Sequence, residues 1–470
     1  MIRQKKCRWL CFLAFAFLGF GLQTKGEPQE HVTHIPLFLE SGEFTSMLGL
    51  NNASPEAIIV TCAIFNRRGQ AHVASLAVEP FSMIGYSIEE LTRGAPGDFT
   101  AGHIELRFPA ATPTMIGSQV IIGSQRWRVS FDSLESRRFE FASSRLDGIA
   151  WFPAGGARGQ VAITNVSPED RNVEFAGAGV APINLTVRTR ETVLLDANAV
   201  FDHQKSGYQM ISLSHDGEPG DVIATGILFD RVSGFSCNLH FVDRAALKTA
   251  RLAGAGFRSG PSDFAADGQT VFTATLGLAN FSESTVDAVV SLDYVSGETA
   301  GQASIPLGVP ANETSVVDLS EVLANQGIGA VSYGGLMVEH SGAPGDLIAA
   351  AMSVDSTGDL SFSVPVRDPY AVATRGGTYP WQIGDQLEST LFLKNVRDQR
   401  SYAIVQLRYG DENYNPERIP LEPYGTVALN LRSLKDSLEP DVRGNIMPEW
   451  AQAGQLVWYE ETQGSLVGRI

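Results

Sequence analysis

His215-Asp216-Gly217-Glu218-Pro219-Gly220-Asp221 returns 125 positions later as His340-Ser341-Gly342-Ala343-Pro344-Gly345-Asp346. Apolar runs flank both copies: residues 208–213 and Val222-Ile223-Ala224 around the first, residues 335–338 and Leu347-Ile348-Ala349 around the second. Proline presets φ and glycine admits φ > 0, so H-x-G-x-P-G-D between two apolar runs reads as a strand–turn–strand unit used twice. The chain is therefore expected to be a tandem array.

A second signal gives the period. Leu50-Asn51-Asn52-Ala53-Ser54, Ile163-Thr164-Asn165-Val166-Ser167, Leu278-Ala279-Asn280-Phe281-Ser282 and Leu393-Lys394-Asn395-Val396-Arg397 align on one asparagine, at intervals of 113, 115 and 115 residues. Such steady spacing marks a repeat architecture. Each asparagine ends an apolar alternation, and Asn bonds its own backbone locally, which suits a strand-ending turn. Asn52, Asn165 and Asn280 also begin N-x-S sequons, and Asn184 and Asn312 begin N-x-T. The fourth copy has Arg397 where the serine should be, so a turn role is favoured over a glycan acceptor.

Further matches fill in the unit. Val78-Glu79-Pro80-Phe81-Ser82 and Leu421-Glu422-Pro423-Tyr424-Gly425 each open a strand, followed by a short helical piece at residues 88–91 and 431–434. In the third copy Asp318 or Ser320 is placed to cap the same helical turn. Ile35-Pro36-Leu37-Phe38, Ala150-Trp151-Phe152-Pro153 and Tyr379-Pro380-Trp381 start their copies, and proline there predicts an edge strand. Leu239-His240-Phe241-Val242-Asp243 and Val364-Pro365-Val366-Arg367-Asp368 end theirs.

The expected fold is all-β: four tandem antiparallel β-sandwich modules of about 115 residues, each with a short helical crossing. Propeller blades recur at less than half this period. Expected boundaries are 31–140, 146–245, 246–370 (a linker plus the third module) and 376–470. The Gly/Ala-rich stretch 245–269, with Ser259-Gly260-Pro261, is expected to be a flexible hinge. The fourth copy runs out of residues after the strand at 466–468, so its sandwich should lack the final strand and leave an open edge.

Residues 1–26 read as a signal peptide: Arg3, Lys5, Lys6 and Arg8 precede an apolar run, residues 9–22, too short for a membrane span. The expected location is extracellular, cell-surface or periplasmic, with no membrane insertion after cleavage. Formal charge is −17, and cleavage removes five basic groups and no acidic one, leaving −22. Such an acidic surface repels phosphate backbones and disfavours nucleic acid as a partner. Cys62 and Cys237 fall in different copies and form no C-x-x-C pair, so two buried thiols are expected and structural zinc is not.

His215 with Asp221 and His340 with Asp346 have the residue types of acid–base pairs or metal ligands. The first and fourth copies have no histidine at this turn, so Gly217, Pro219, Gly220, Asp221, Gly342, Pro344, Gly345 and Asp346 are read as turn residues. No nucleophile elbow occurs, and Ala154-Gly155-Gly156-Ala157-Arg158-Gly159 lacks the GK[ST] and helix of a phosphate loop. No catalytic residue, metal ligand or cofactor is assigned. Trp381, Trp458, Tyr409 and Tyr414 are the candidate ligand contacts, because planar rings on a sandwich face can stack on sugars.

With its two Pro-Gly-Asp turns, each followed by a hydrophobic residue and then alanine, the chain resembles secreted bacterial proteins built of tandem β-sandwich (Ig-like) modules. The likeness covers most of residues 31–470 and is closest in the second and third copies. It implies an exported sandwich array and carries no activity or binding residue with it. The expectation is a non-enzymatic structural or interaction protein, a spacer or binding scaffold with a protein or glycan partner. The alternative is a carbohydrate-binding or adhesion protein using the aromatics of the fourth copy.

Overall fold

The computed structural model describes residues 30–470 apart from 41, 53, 110–115, 124–127, 133, 136–140, 153–157, 178–179, 203–205, 230–235, 262–270, 356–360, 372–375, 385–387, 411 and 462–463. The expected signal peptide, the first copy's turn after Pro109 and most of the glycine run after Pro153 lie outside the described residues.

Among the described residues the chain is all-β, with four short α-helices. The first segment comprises β1 (Glu30–Leu39), β2 (Thr45–Asn52), β3 (Ile58–Asn66), β4 (Ala71–Val78), β5 (Met83–Ser87) and α1 (Ile88–Leu91). It closes with β6 (Ala101–Pro109), β7 (Ile116–Gly123), β8 (Arg128–Asp132) and the two-residue β9 (Leu134–Glu135). The second comprises β10 (Arg145–Phe152), β11 (Arg158–Asn165), β12 (Arg171–Gly177), β13 (Ile183–Val187), β14 (Thr192–Asp196) and α2 (Ala197–Val200). β15 (Gly207–His215), β16 (Val222–Phe229) and β17 (Ser236–Val242) complete it.

The third segment holds β18 (Arg251–Pro261), β19 (Val271–Asn280), β20 (Val286–Ser296), β21 (Thr299–Val309), β22 (Thr314–Asp318) and α3 (Leu319–Asn325). β23 (Val331–His340), β24 (Leu347–Asp355) and β25 (Ser361–Val366) follow. The fourth holds β26 (Gly376–Gln382), β27 (Thr390–Asn395), β28 (Ser401–Tyr409), β29 (Glu412–Tyr414), β30 (Ile419–Leu421), β31 (Thr426–Asn430) and α4 (Leu431–Asp436). It ends with β32 (Ala453–Glu460) and β33 (Leu466–Arg469).

One antiparallel pairing scheme recurs. The first segment has sheets β4-β3-β6-β1-β9 and β5-β2-β7-β8. The second repeats it as β13-β12-β15-β10 and β14-β11-β16-β17, with β10 and β17 also touching. The third gives β21-β20-β23-β18 and β22-β19-β24-β25. In the fourth, β29 and β30 share the place of one strand beside β28, which continues to β32 and β26, and the other sheet is β31-β27-β33. Among the described residues no strand lies outside β33. Alternating burial, as in β28 (BiBeBiBiB), drives one face of each strand into an apolar core, and each segment has its own cluster.

Ser87, Asp196, Asp318 and Asn430 end the fifth strand of their segments and accept a backbone N–H of the helix that follows. The edge expected from proline is found in the fourth segment, where β26 pairs only with β32; it is corrected in the first two, where β1 pairs with both β6 and β9 and β10 with both β15 and β17, the register of β1 shifting between Ile35 and Phe38, at Pro36.

The hinge expected over 245–269 is corrected. Arg251–Pro261 is the first strand of the third segment, with Leu252 and Phe257 in its core. Its glycines mark close approach, not freedom: a Cβ on Gly254 would meet Pro365 O at 2.9 Å, and one on Gly256 would meet Phe392 at 2.8 Å. The remainder, 262–270, lies outside the described residues.

Segments meet head to tail. The first strand of each segment packs on the second and seventh strands of the next: β1 on β11 and β16, β10 on β19 and β24, β18 on β27 and β33. Half of that contact recurs between the ends of the array, where β26 packs on β2. There Gln455 Nε2 donates to Asn51 Oδ1, both residues being buried, and the Arg408 guanidinium lies 4.0 Å over the Phe81 ring. The array therefore closes into a circuit, as heterologous interfaces do when the rotation fits.

Candidate functional site

The four anchor asparagines are fully buried and make one pattern of bonds. Asn165 Nδ2 donates to the carbonyls of Glu169 (2.7 Å), Val187 (3.0 Å) and Arg188 (3.1 Å), while Oδ1 accepts from Ser167 N at 2.9 Å. Asn52 and Asn395 repeat all four contacts, and Asn280 repeats three of them. The backbone N–H after the asparagine then donates to the Pro-Gly-Asp turn, Val166 to Asp221 O and Phe281 to Asp346 O. Each asparagine thus ties three connections together, and a side-chain nitrogen so enclosed is no glycan acceptor. The sequon serines of Asn165 and Asn280 donate to the asparagine Oδ1 and to a carbonyl two residues on.

The histidine turns hold backbone. Asp221 N donates to Glu218 O at 3.0 Å with Gly220 at φ 81°, and Asp346 N donates to Ala343 O at 3.0 Å with Gly345 at φ 86°. The Asp221 carboxylate accepts from Glu218 N at 3.0 Å and pairs with Arg171 at 2.8 Å; that of Asp346 accepts from Ala343 N at 2.7 Å. His215 Nδ1 accepts from Gly217 N at 3.2 Å. Burial pushes both His215 and His340 below the ordinary histidine range, and neither hydrogen-bonds to the aspartate of its turn. In the fourth segment Glu460 does the same work, accepting from Ser465 N at 2.8 Å and Leu466 N at 2.9 Å. Among the described residues no three metal-ligating side chains gather.

The aromatic candidates are corrected. Trp381, Tyr409, Tyr414 and Trp458 all lie in the fourth segment's core, at most 4% exposed. Each stands on the inward face of its strand, so its ring packs where a sugar cannot reach. The most exposed aromatic of the fourth segment among the described residues is Trp450, 58% free, set edge-on to Tyr409 at 5.5 Å, with Tyr409 edge-on to Trp381 at 6.3 Å. Trp450 sits in the stretch between α4 and β32, longer than the corresponding stretch of any other segment, where Leu438, Val442 and Ile446 are also exposed. Their length and apolarity were visible in the sequence; only the geometry shows that no core receives them.

Joints carry the buried charges that sequence reasoning missed. Arg190 Nη1 reaches Glu105 Oε2 at 2.7 Å between the first and second segments. Burial alone would raise the Glu105 carboxyl, but the hydrogen bond from Arg107 and the charges of His34 and Arg190 outweigh it and hold it below the usual range. Arg244 pairs with Asp147, donates to Gly345 O at 2.9 Å and lies 4.8 Å over Phe281. Lys394 pairs with Asp293 between the third and fourth segments. Asp243 and Asp368 close their segments alike: Asp243 takes the backbone N–H groups of Ala142 and Ser143, and Asp368 those of Lys248 and Thr249. Cys62 and Cys237 are buried free thiols, each pushed up to about 12 by burial.

Between the second and third segments lies a cavity of about 310 Å³, lined by Leu146, Ile149, Phe241, Ile348 and Met352 and by the polar side chains of His240 and Arg367. His240 is an exposed residue, yet burial and the Arg367 charge push its imidazole down to about 4. Arg367, on the same wall, is exposed as well.

No family model, curated protein or solved structure matches this chain.

Proposed function

We propose that the protein is a non-enzymatic, exported interaction scaffold: a closed set of β-sandwich segments that presents one apolar surface element to a protein partner. The observation that carries this reading is the stretch from Leu438 to Trp450, where four large apolar side chains are each more than half exposed. Exposed apolar groups gathered on one segment mark interaction surfaces in soluble proteins. The aspartates of the repeated turns and His215 Nδ1 are occupied with backbone, which supports a role in shape, not turnover. The contact of the fourth segment with the first favours a compact platform over a drawn-out spacer. Residues 1–26 support a place outside the cytoplasm, and the acidic composition disfavours nucleic acid and anionic membrane as partners.

The test is binding of the purified protein to intact cells of the organism that makes it. A Leu438→Ser, Val442→Ser, Ile446→Ser, Trp450→Ser variant should keep its melting temperature and lose binding at least tenfold. Equal binding by the variant, or no binding by either protein, would falsify the proposal. Competition by free glycans, with loss on Trp450→Ala alone, would transfer the reading to carbohydrate recognition.

A further inference from the structure

In every segment one sheet ends on the same strand of the repeat, and the first segment leaves that edge least protected. In the second segment the edge strand β13 is five residues long, in the third β21 carries Pro306, and in the fourth the edge is broken into β29 and β30. Short strands, prolines and interruptions keep open edges from pairing with other chains. β4 (Ala71–Val78) has none of these devices. It runs for eight residues in unbroken register with β3, without a proline and without an Asp, Glu, Lys or Arg.

Its free backbone groups can be named. The Asn66 N–H donates to Gln70 O, which fixes the alternation of the β3–β4 ladder. Ala71, Val73, Ser75 and Ala77 therefore turn their N–H and C=O groups away from β3, to the open edge. All four are exposed, and among the described residues no strand pairs with this edge.

Charge selects the occupant. At a formal −17, two copies of the chain repel each other over most of their surface, but β4 itself is uncharged. Its flanks differ in sign: Arg67 and Arg68 precede it and Glu79 follows, all three exposed. Antiparallel pairing of β4 with the same strand of a second copy, centred on Ala74, sets Ala71 opposite Ala77 and Val73 opposite Ser75. All the free groups named above are then bonded. The same register places Gly69 opposite Glu79, so the arginines of each copy lie beside the carboxylate of the other. Parallel pairing would instead set arginine against arginine and Glu79 against Glu79. Val73 (59% exposed) and Ile59 (53%), which lies on the same face as its partner Ala77, continue as one apolar strip across the new seam.

We propose that β4 is a homodimerisation edge: two copies of this chain join their first-segment sheets by antiparallel β4–β4 pairing, with Arg67 and Arg68 of each against Glu79 of the other. The surface on the fourth segment takes no part, so the inference does not rest on the scaffold reading.

Sedimentation velocity of the full-length mature protein across the micromolar range tests this. Mass should rise with concentration from one chain to two. Ser75→Pro removes an N–H that points to the open edge and that the sheet itself does not use, so it should keep the melting temperature and leave a monomer. Glu79→Arg should weaken dimerisation about tenfold, and adding Arg67→Glu with Arg68→Glu should restore it. The variant with serine at 438, 442, 446 and 450 should dimerise like the parent. The proposal is overturned if the parent stays monomeric throughout, if Ser75→Pro dimerises like the parent, if the charge swap restores nothing, or if the fourth-segment variant is the one that loses the dimer. Should Ser75→Pro fail to fold, the charge swap decides alone.

Discussion

Asn165 donates to three backbone carbonyls and accepts from one N–H, all from a fully buried side chain. Its conservative replacement is therefore the damaging one. Asn165→Asp keeps the size and the acceptor but sets an oxygen against three carbonyls, leaving buried acceptors facing one another. Asn165→Asp should cost about 3 kcal/mol or more and should exceed the cost of Asn165→Ser, whose smaller side chain leaves room for water. Urea unfolding of both variants measures this; a larger loss for the serine variant would contradict the bonding pattern. Sequence exposed this residue because its neighbours repeat at a steady interval, while its bonding partners, distant in the chain, were not legible. The opposite failure befell Trp381 and Trp458. A tryptophan in a strand looks the same whether its ring faces solvent or core, and only the register of β26 against β32 puts these two inside.

At the scale of elements, turn chemistry was the readable part. Pro219-Gly220 and Pro344-Gly345 announce their turns because few other residues supply those dihedrals. What the turns touch was hidden. A Cβ on Gly345 would lie 2.5 Å from Arg244 O in the capping turn that follows β17, so this glycine is both a left-handed residue and a contact across a joint. Gly345→Ala should destabilise the protein by about 1–3 kcal/mol, read as a lowered urea midpoint. Gly297, also at positive φ (58°) but with open space around it, should cost less when replaced by alanine. Equal losses would show that backbone conformation alone decides. The stretch containing Gly254 and Gly256 carries the same lesson: composition cannot separate a loose hinge from a strand packed so tightly that only glycine fits.

For the whole molecule, charge at the joints matters more than charge on the surface. Lys394 appeared in the sequence as one polar residue in an apolar run, and its meaning lies in Asp293, 101 positions away. Lys394 is 1% and Asp293 8% exposed, so removing one partner strands the other. Lys394→Met should cost about 3–5 kcal/mol, and adding Asp293→Leu should recover most of it, because an apolar pair no longer carries the cost of desolvating a lone carboxylate. Thermodynamic analysis of the two single variants and the double one tests this; additive losses would mean that the two groups do not act as a pair. That sandwich segments recur was legible in the sequence. That the last meets the first was not, because Gln455 and Asn51 have no local pattern to betray them.

Closure changes how such an array fails. In a linear row of domains the outer members have a single neighbour, and losses begin there. Here, when one interface parts, the two faces stay tethered through the remaining three contacts. They remain at high effective concentration and re-form without a diffusional search, so rupture at any single seam is transient.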